Sequence, residues 1–228
     1  MQIPESVEVE TGADPVGSVI WLHGLGADGH DFEAIVPELH LPAFLPLRFV
    51  FPHAPVRPVT INGGMAMRAW YDIVSFDKEG CADESGIRDS SALVDALVER
   101  EQQRGIDSSK IVIAGFSQGG AIALHNVLRT PLKLAGLMAL SSYLPLQDTL
   151  DSEVVENPDA GDTSSPVFMG HGRSDPMVPC EGGRQSADFL ESLGYTVEWH
   201  DYPMAHSVCA QEIADISDWL EMVYAGQV

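Results

Sequence analysis

The segment GFSQGG, residues 115–120, stands between the apolar run KIVIA and the stretch AIALHNVL. A β-branched apolar run reads as a buried strand and the stretch after it as a helix, so the chain must pass from one to the other within a very short turn. A turn that sharp holds its central residue in a sparsely populated backbone region, at a cost of about 1–3 kcal/mol, and crowds the residues two before and two after it. Gly115 and Gly119 are the small residues such crowding demands. The turn then presents the Ser117 hydroxyl at a helix N-terminus, where the dipole favours negative charge. A single short segment thus points to an α/β architecture and nominates a nucleophile.

The remaining apolar runs, SVEVE, SVIWLHG, RFVFPHAP, LAGLMALSS, PVFMGHG and VEWHDYP, end at turn residues and read as further strands. Most are apolar without alternation and are therefore expected to be buried on both faces. Between them ESGIRDSSALVDALVEREQQRG carries Ile87, Val94, Leu97 and Val98 on one side and stops at Gly105. Near the C-terminus Ile213, Ile216, Leu220 and Val223 recur at helical spacing after Ser207, which serves as the expected N-cap. Strands alternating with helices predict the α/β class, with a mostly parallel central sheet and helices on both faces. A length of 228 residues fits one domain spanning 1–228. Two stretches break the alternation. Residues 52–80 carry many turn formers and are expected to form a long ordered loop, a kind of segment that tends to be functional. Residues 142–165 are polar and acidic in their latter part and too short for a multi-helix lid, so a shallow site without a large cap domain is expected.

Charge and composition exclude several function classes. No apolar run approaches the roughly 18 residues of a membrane-spanning helix, and MQIPESVEVE has neither a basic nor an apolar leader region. A cytoplasmic protein without stable membrane insertion is the expectation. Twelve basic residues, three of them lysines, stand against 34 acidic ones, giving a net charge of −22 that repels nucleic-acid phosphates and anionic headgroups. No nucleic-acid partner is expected; the acidity reads as a solubilising surface, with adaptation to a salty cytoplasm as its alternative. Cys81, Cys180 and Cys209 are odd in number and never form a CxxC pair, which argues against a disulfide framework and a structural zinc site. With neither HExxH nor a phosphate-gripping glycine loop in the chain, no metal and no organic cofactor are expected.

A serine hydroxyl is a poor nucleophile until a base takes its proton, so a histidine oriented by a carboxylate must lie within reach. A strand, Gly-x-Ser-x-Gly and helix in that order form the nucleophile elbow of α/β-hydrolases, in which the acid and then the histidine follow the serine along the chain. Two strand ends after Ser117 provide them. GHGRSDPMVP places Asp175 just past a buried strand, at the carboxyl edge where open α/β sheets keep their sites, and YPMAHSV places His206 between the last strand and the last helix. The rivals are less well placed: His200 lies inside a strand run, His125 in the helix after Ser117, and His171 at a strand end where packing is expected. Asp159 and Asp162 lie in a polar loop, and Asp201 reads as a strand-end residue. A tetrahedral oxyanion also needs donors, each worth about 3–4 kcal/mol. The N–H of Gln118, next after the nucleophile, is one; the loop WLHGLGADG, with Gly24 and Gly26 flanking Leu25, offers the N–H of Leu25 as the other, with His23 as an orienting residue.

Taken together, WLHGLGADG, PHAPVRPVTINGG, WYDI, DESGI, AGFSQGGAIAL, GHGRSDPMVP and YPMAHSV resemble the carboxylesterase and acyl-protein thioesterase family, the phospholipase/carboxylesterase family of α/β-hydrolases, over about residues 18–220 and in the family's order. The resemblance implies the same Ser117, Asp175 and His206 triad and the same Leu25 and Gln118 donors. It further implies that Trp70 and the SYLPL segment around Leu144 shape an acyl-binding groove. Family members commonly carry Pro-Ser before the tryptophan, where this chain has Arg68 and Ala69, and Gly or Met before the histidine, where it has Ala205. The expected function is a serine carboxylesterase that hydrolyses short- to medium-chain esters through an acyl-serine intermediate. An acyl-protein thioesterase or lysophospholipase is the nearest alternative, with the same triad and a different groove. A dienelactone-type hydrolase would carry cysteine at the elbow, and an inactive binding module would not need every catalytic position filled. The partner is thus a small-molecule ester or thioester, and exposed apolar groove residues would equally serve a homodimer interface.

Overall fold

Strands that are apolar at every position need cover on both faces, and the computed structural model, which describes residues 3–74, 83–156 and 161–225, has that cover. The strands are β1 (Ser6–Glu10), β2 (Gly17–Leu22), β3 (Leu47–Pro52), β4 (Val56–Val59), β5 (Met65–Arg68), β6 (Ile111–Phe116), β7 (Gly136–Leu140), β8 (Val167–Gly172) and β9 (Val197–Tyr202). The helices are α1 (Glu84–Gln103), α2 (Gln118–Val127), α3 (Gln147–Glu156), α4 (Cys180–Ser192) and α5 (Ala210–Tyr224). Seven strands form one sheet in the order β1-β3-β2-β6-β7-β8-β9. Only β1 runs antiparallel to its neighbour, and every run read as a strand from the sequence lies in this sheet. Side chains alternate across it. Ile20, Leu22, Ile113, Leu137 and Met169 face α1, α2 and α4. Val19, Trp21, Phe49, Ala114 and Phe168 face α5 and a 3₁₀ helix at Glu33–Leu39. Each large side chain so buried contributes about 1.5–3 kcal/mol. Two register pairs fix the elbow at the sheet's centre: Leu22 of β2 lies opposite Gly115, and Leu140 of β7 opposite Phe116. The carboxyl ends of β2, β6, β7 and β8 therefore meet along one edge, the place where such sheets bind ligands. The architecture is that of an α/β-hydrolase without a large cap.

Three local expectations need correction. Residues 52–80 are not a plain loop: β4 and β5 pair as a hairpin from Val56↔Arg68 to Val59↔Met65, turning at Gly63 and Gly64, both at positive φ. Residues 75–80 of that stretch lie outside the described residues, as do Cys81 and Asp159. Within 142–165 the chain forms α3. Helix α5 starts later than expected, with Cys209 at the N-cap, because the Ser207 N–H closes a turn onto the Ala205 carbonyl (3.0 Å) instead. Helix α1 begins at an Asp83 cap that accepts from the Gly86 N–H (2.9 Å), and Gly105 follows it at φ 95°. Among the described residues, no helix is long and apolar enough to cross a membrane.

Glu212, in the first turn of α5, is fully buried against Gly170 of β8, where a Cβ would sit 2.2 Å from its carboxyl. Burial pushes this carboxyl up to about 8, offset only in part by the Cys209 N–H, which falls short of full hydrogen-bond geometry. In the unfolded chain the group ionises near its ordinary value of 4.5. Between those two values the folded state binds more protons than the unfolded one, so stability falls as pH rises across the window. Glu212→Gln, which keeps the shape and loses the titration, is expected to flatten the dependence of Tm on pH from about 5 to about 8. At pH 8 it should recover on the order of 3–5 kcal/mol. An unchanged slope would mean that the carboxyl is ionised and solvated in the folded protein.

Candidate active site

Ser117 stands between β6 and α2 at φ 53° and ψ −118°, a conformation that L-residues rarely adopt. It is held there from both sides. Its N–H donates to the Leu140 carbonyl (2.8 Å), and its own carbonyl accepts from the Ala121 N–H (3.0 Å) and the Ser142 hydroxyl (2.8 Å). The glycines around it have no room for a side chain: a Cβ at Gly115 would lie 2.3 Å from the Gly119 carbonyl, and one at Gly119 would lie 2.3 Å from the Leu22 carbonyl.

Asp175 lies in the turn after β8, its side chain fully buried and its carboxylate spoken for on every side. Oδ1 accepts from the Met177 and Val178 N–H groups (2.8 and 2.9 Å), and Oδ2 accepts from Nδ1–H of His206 (2.6 Å). A carboxylate can only accept, so His206 carries its proton on Nδ1 and leaves Nε2 free. The His206 ring rests against Phe116, centroids 4.7 Å apart, and Phe116 in turn packs on Phe32. His171 lies 3.6 Å from the same carboxylate but donates through Nε2–H to the Val178 carbonyl (2.9 Å). Burial lowers its pKa, opposed by the Val178 hydrogen bond and the Asp175 charge. The other histidines stay apart: His200 stacks on Phe168, and His125 is buried in α2. Asp201 pairs with Arg173 and Asp162 with the Ser164 hydroxyl, so neither meets His206.

The loop after β2 is fixed with equal care. Burial pushes the His23 ring down to about 4, so it is neutral at physiological pH. Its Nδ1–H donates to the Gly24 carbonyl (2.7 Å), and its Nε2 accepts from the Ala54 N–H (3.0 Å). Gly26, at φ 77°, donates its N–H to the Arg68 carbonyl (2.9 Å), and the Arg68 guanidinium reaches the Ala54 carbonyl (2.9 Å). Arg68 therefore ties the hairpin base to this loop. Among the described residues, neither the Leu25 N–H nor the Gln118 N–H finds an acceptor. A donor pair without partners beside a serine is what a developing oxyanion requires.

These groups share one cavity of about 210 Å³, lined by Gly24, Leu25, Ser117, Gln118 and His206 and walled by Tyr71, Ile73, Phe116, Tyr143, Met177 and Val178, with Asp31 also contributing. The structure thus brings Ser117, His206, Leu25 and Gln118 to one cavity and sets Asp175 behind His206. It does not bring Trp70 and Leu144 there. Trp70 is fully buried and Leu144 nearly so, both packed in the core beneath α1 and α4, and the wall positions belong to their chain neighbours Tyr71 and Tyr143. The two tyrosine hydroxyls lie 3.1 Å apart, and burial keeps that of Tyr71 protonated. Among the described residues, no three His, Cys, Asp or Glu side chains group as a metal site.

A family model described as Phospholipase/Carboxylesterase matches residues 4–224. Acyl-protein thioesterase 1 of Neurospora crassa is 41% identical over 210 residues, covering 89% of this chain and 85% of its own. The protein of that name from Mycosarcoma maydis is 36% identical with 97% of both chains covered. Among solved structures, Arabidopsis thaliana SOBER1 superposes with a TM-score of 0.81 at 31% identity, covering 91% of this chain and 98% of its own. Zea mays acyl-protein thioesterase 2 superposes with a TM-score of 0.83 at 27% identity, covering 96% and 99%.

Proposed function

Because this chain belongs to the phospholipase/carboxylesterase family, we propose that it is a serine hydrolase of acyl thioesters that also cleaves carboxylic esters, with Ser117, His206 and Asp175 as its triad and the Leu25 and Gln118 N–H groups as its oxyanion hole. The observation that carries this reading is the meeting, in one cavity, of a strained Ser117, a His206 whose Nδ1 is engaged by Asp175, and two N–H groups without acceptors. His206 takes the Ser117 proton through Nε2 as Oγ adds to the acyl carbon, and the negative charge that develops on the acyl oxygen rests on the two N–H groups. The protonated ring then gives its proton to the leaving sulfur or oxygen, and Asp175 stabilises the charged ring while it exists. Water repeats the sequence on the acyl-serine and releases the acid.

The relatives' names favour thioesters over the plain carboxylesterase expected from the sequence, and leaving-group chemistry accommodates that: a thiol, with a pKa near 8.5, departs with less help from His206 than an alcohol does. The carboxylesterase reading stands second, favoured by the cavity, which is smaller than the roughly 300–1,000 Å³ of most ligand sites and suits short to medium acyl chains. To choose between them, kcat/KM is measured for S-acyl cysteine peptides and p-nitrophenyl esters carrying the same acyl groups of increasing length. A thioester preference above tenfold, about 1.4 kcal/mol of transition-state discrimination, with an optimum below long-chain length, is expected. A tenfold preference for the esters would establish the carboxylesterase instead. Hydrolysis of neither, with the protein folded, would leave a binding module.

A further inference from the structure

Trp70 is placed by the family resemblance in the acyl groove, yet its indole is fully buried and spends every polar atom on other parts of the site. Its Nε1–H donates to the His23 carbonyl (2.8 Å), the peptide that opens the Leu25 loop. Its backbone N–H donates to Oε1 of Gln118 (2.8 Å), and Nε2 of the same Gln118 donates to the Tyr71 carbonyl (2.8 Å). The Trp70 carbonyl accepts from the Ser90 hydroxyl of α1, and the indole packs against the His23 ring with centroids 5.3 Å apart. One oxyanion donor therefore sits on a residue whose side chain grips residues 70 and 71, and the indole of residue 70 grips the loop that carries the other donor. Gln118 and His23 are buried along with Trp70, and all three side-chain bonds among these residues are buried, so they are little weakened by water.

Resting on the functional reading above, we propose that Trp70 and the Gln118 side chain are positioning residues that set the separation of the Leu25 and Gln118 N–H groups, a strut across the oxyanion hole and not a wall of the acyl groove. A displacement of about 1 Å in such a donor can cost on the order of 10²-fold in rate.

Trp70→Phe keeps an aromatic ring beside His23 and deletes the indole N–H together with two ring carbons, so the Tm lost to the smaller ring is read separately from the change in kcat. Gln118→Glu keeps the acceptor for the Trp70 N–H and the backbone N–H at 118, and deletes the donor to Tyr71. Each is assayed for kcat and KM on the best wild-type substrate and for inhibition by an alkyl trifluoromethyl ketone. Ser117 Oγ adds to the carbon of this ketone, the proton passes to His206, and the resulting oxyanion sits in the hole. The expected result is a roughly 10- to 100-fold fall in kcat, an equal weakening of the ketone, KM within about twofold of wild type, and unchanged near-ultraviolet circular dichroism. A lower Tm with wild-type kcat and ketone affinity would overturn the proposal, and so would a raised KM at constant kcat, which would return Trp70 to the acyl groove. Failure of both variants to fold would overturn it as well, by making the pair structural. Absence of hydrolysis in the wild type itself would sink the functional reading instead, so the two failures are distinct.

Discussion

Ser117→Ala is expected to lower kcat/KM by roughly 10⁴- to 10⁶-fold on every ester and thioester the wild type cleaves, and to leave the fold intact. The loss is large because in the proposed mechanism every chemical step passes through one oxygen, and among the described residues the neighbouring serines do not substitute for it. Ser142 packs against the elbow, but its proton is given to the Ser117 carbonyl. Ser141 is fully buried. Stability should change little, since the Ser117 hydroxyl does not cap α2 and alanine bears the same backbone strain at φ 53°. A residue of roughly 10³-fold catalysis over water would survive from the oxyanion hole and binding alone. The measurement pairs steady-state rates with titration of the folded protein by a fluorophosphonate, which should label the wild type at one serine per chain and the variant not at all. Activity above one percent of wild type in a variant that resists labelling would mean that the nucleophile lies elsewhere.

How far the sequence discloses this site follows from which signals survive in a string of residues. The sheet is legible because the VIWL of SVIWLHG and the IVIA of KIVIAGFS are apolar without alternation, which double burial explains. Asp175 and His206 were legible because a strand end followed by turn residues fixes which sheet edge they occupy. The β4–β5 hairpin was obscured by four-residue strands, one of them interrupted by Pro58, and by side chains left half exposed; the Asn62-Gly63-Gly64 turn was the signal that betrayed it. Trp70 is hard to place from sequence for another reason. An indole that closes a hydrogen-bond circuit and one that lines a groove have the same letter and the same apolar neighbours, and only the packing of the folded chain separates Trp70 from Tyr71, or Leu144 from Tyr143. The glutamine of GFSQGG discloses only its backbone N–H in the sequence, because its side-chain partners, the Trp70 N–H and the Tyr71 carbonyl, lie 48 and 47 residues away.

Asp175→Asn is expected to lower kcat by roughly 10³- to 10⁴-fold while the protein folds with a near-native Tm. The reasoning runs through the tautomer of His206. Two backbone N–H groups, those of Met177 and Val178, point at Oδ1, so an asparagine must set its carbonyl oxygen there and turn its NH₂ toward His206. An N–H facing Nδ1 makes that nitrogen the acceptor and moves the ring proton to Nε2. Nε2 then cannot take the Ser117 proton, although every atom keeps its place. The Phe116 contact and the turn that holds residue 175 both persist, which is why geometry and chemistry should separate cleanly in this variant. Asp175→Ala makes the informative partner: it leaves the Met177 and Val178 N–H groups without their acceptor and should cost stability as well, about 1–3 kcal/mol for the buried Val178 N–H left unpaired. Rates and melting curves of the two variants together test the assignment. If Asp175→Asn retained more than a tenth of wild-type kcat, the carboxylate would not be the group that sets the histidine's proton, and His206 itself would lose its claim to be the base.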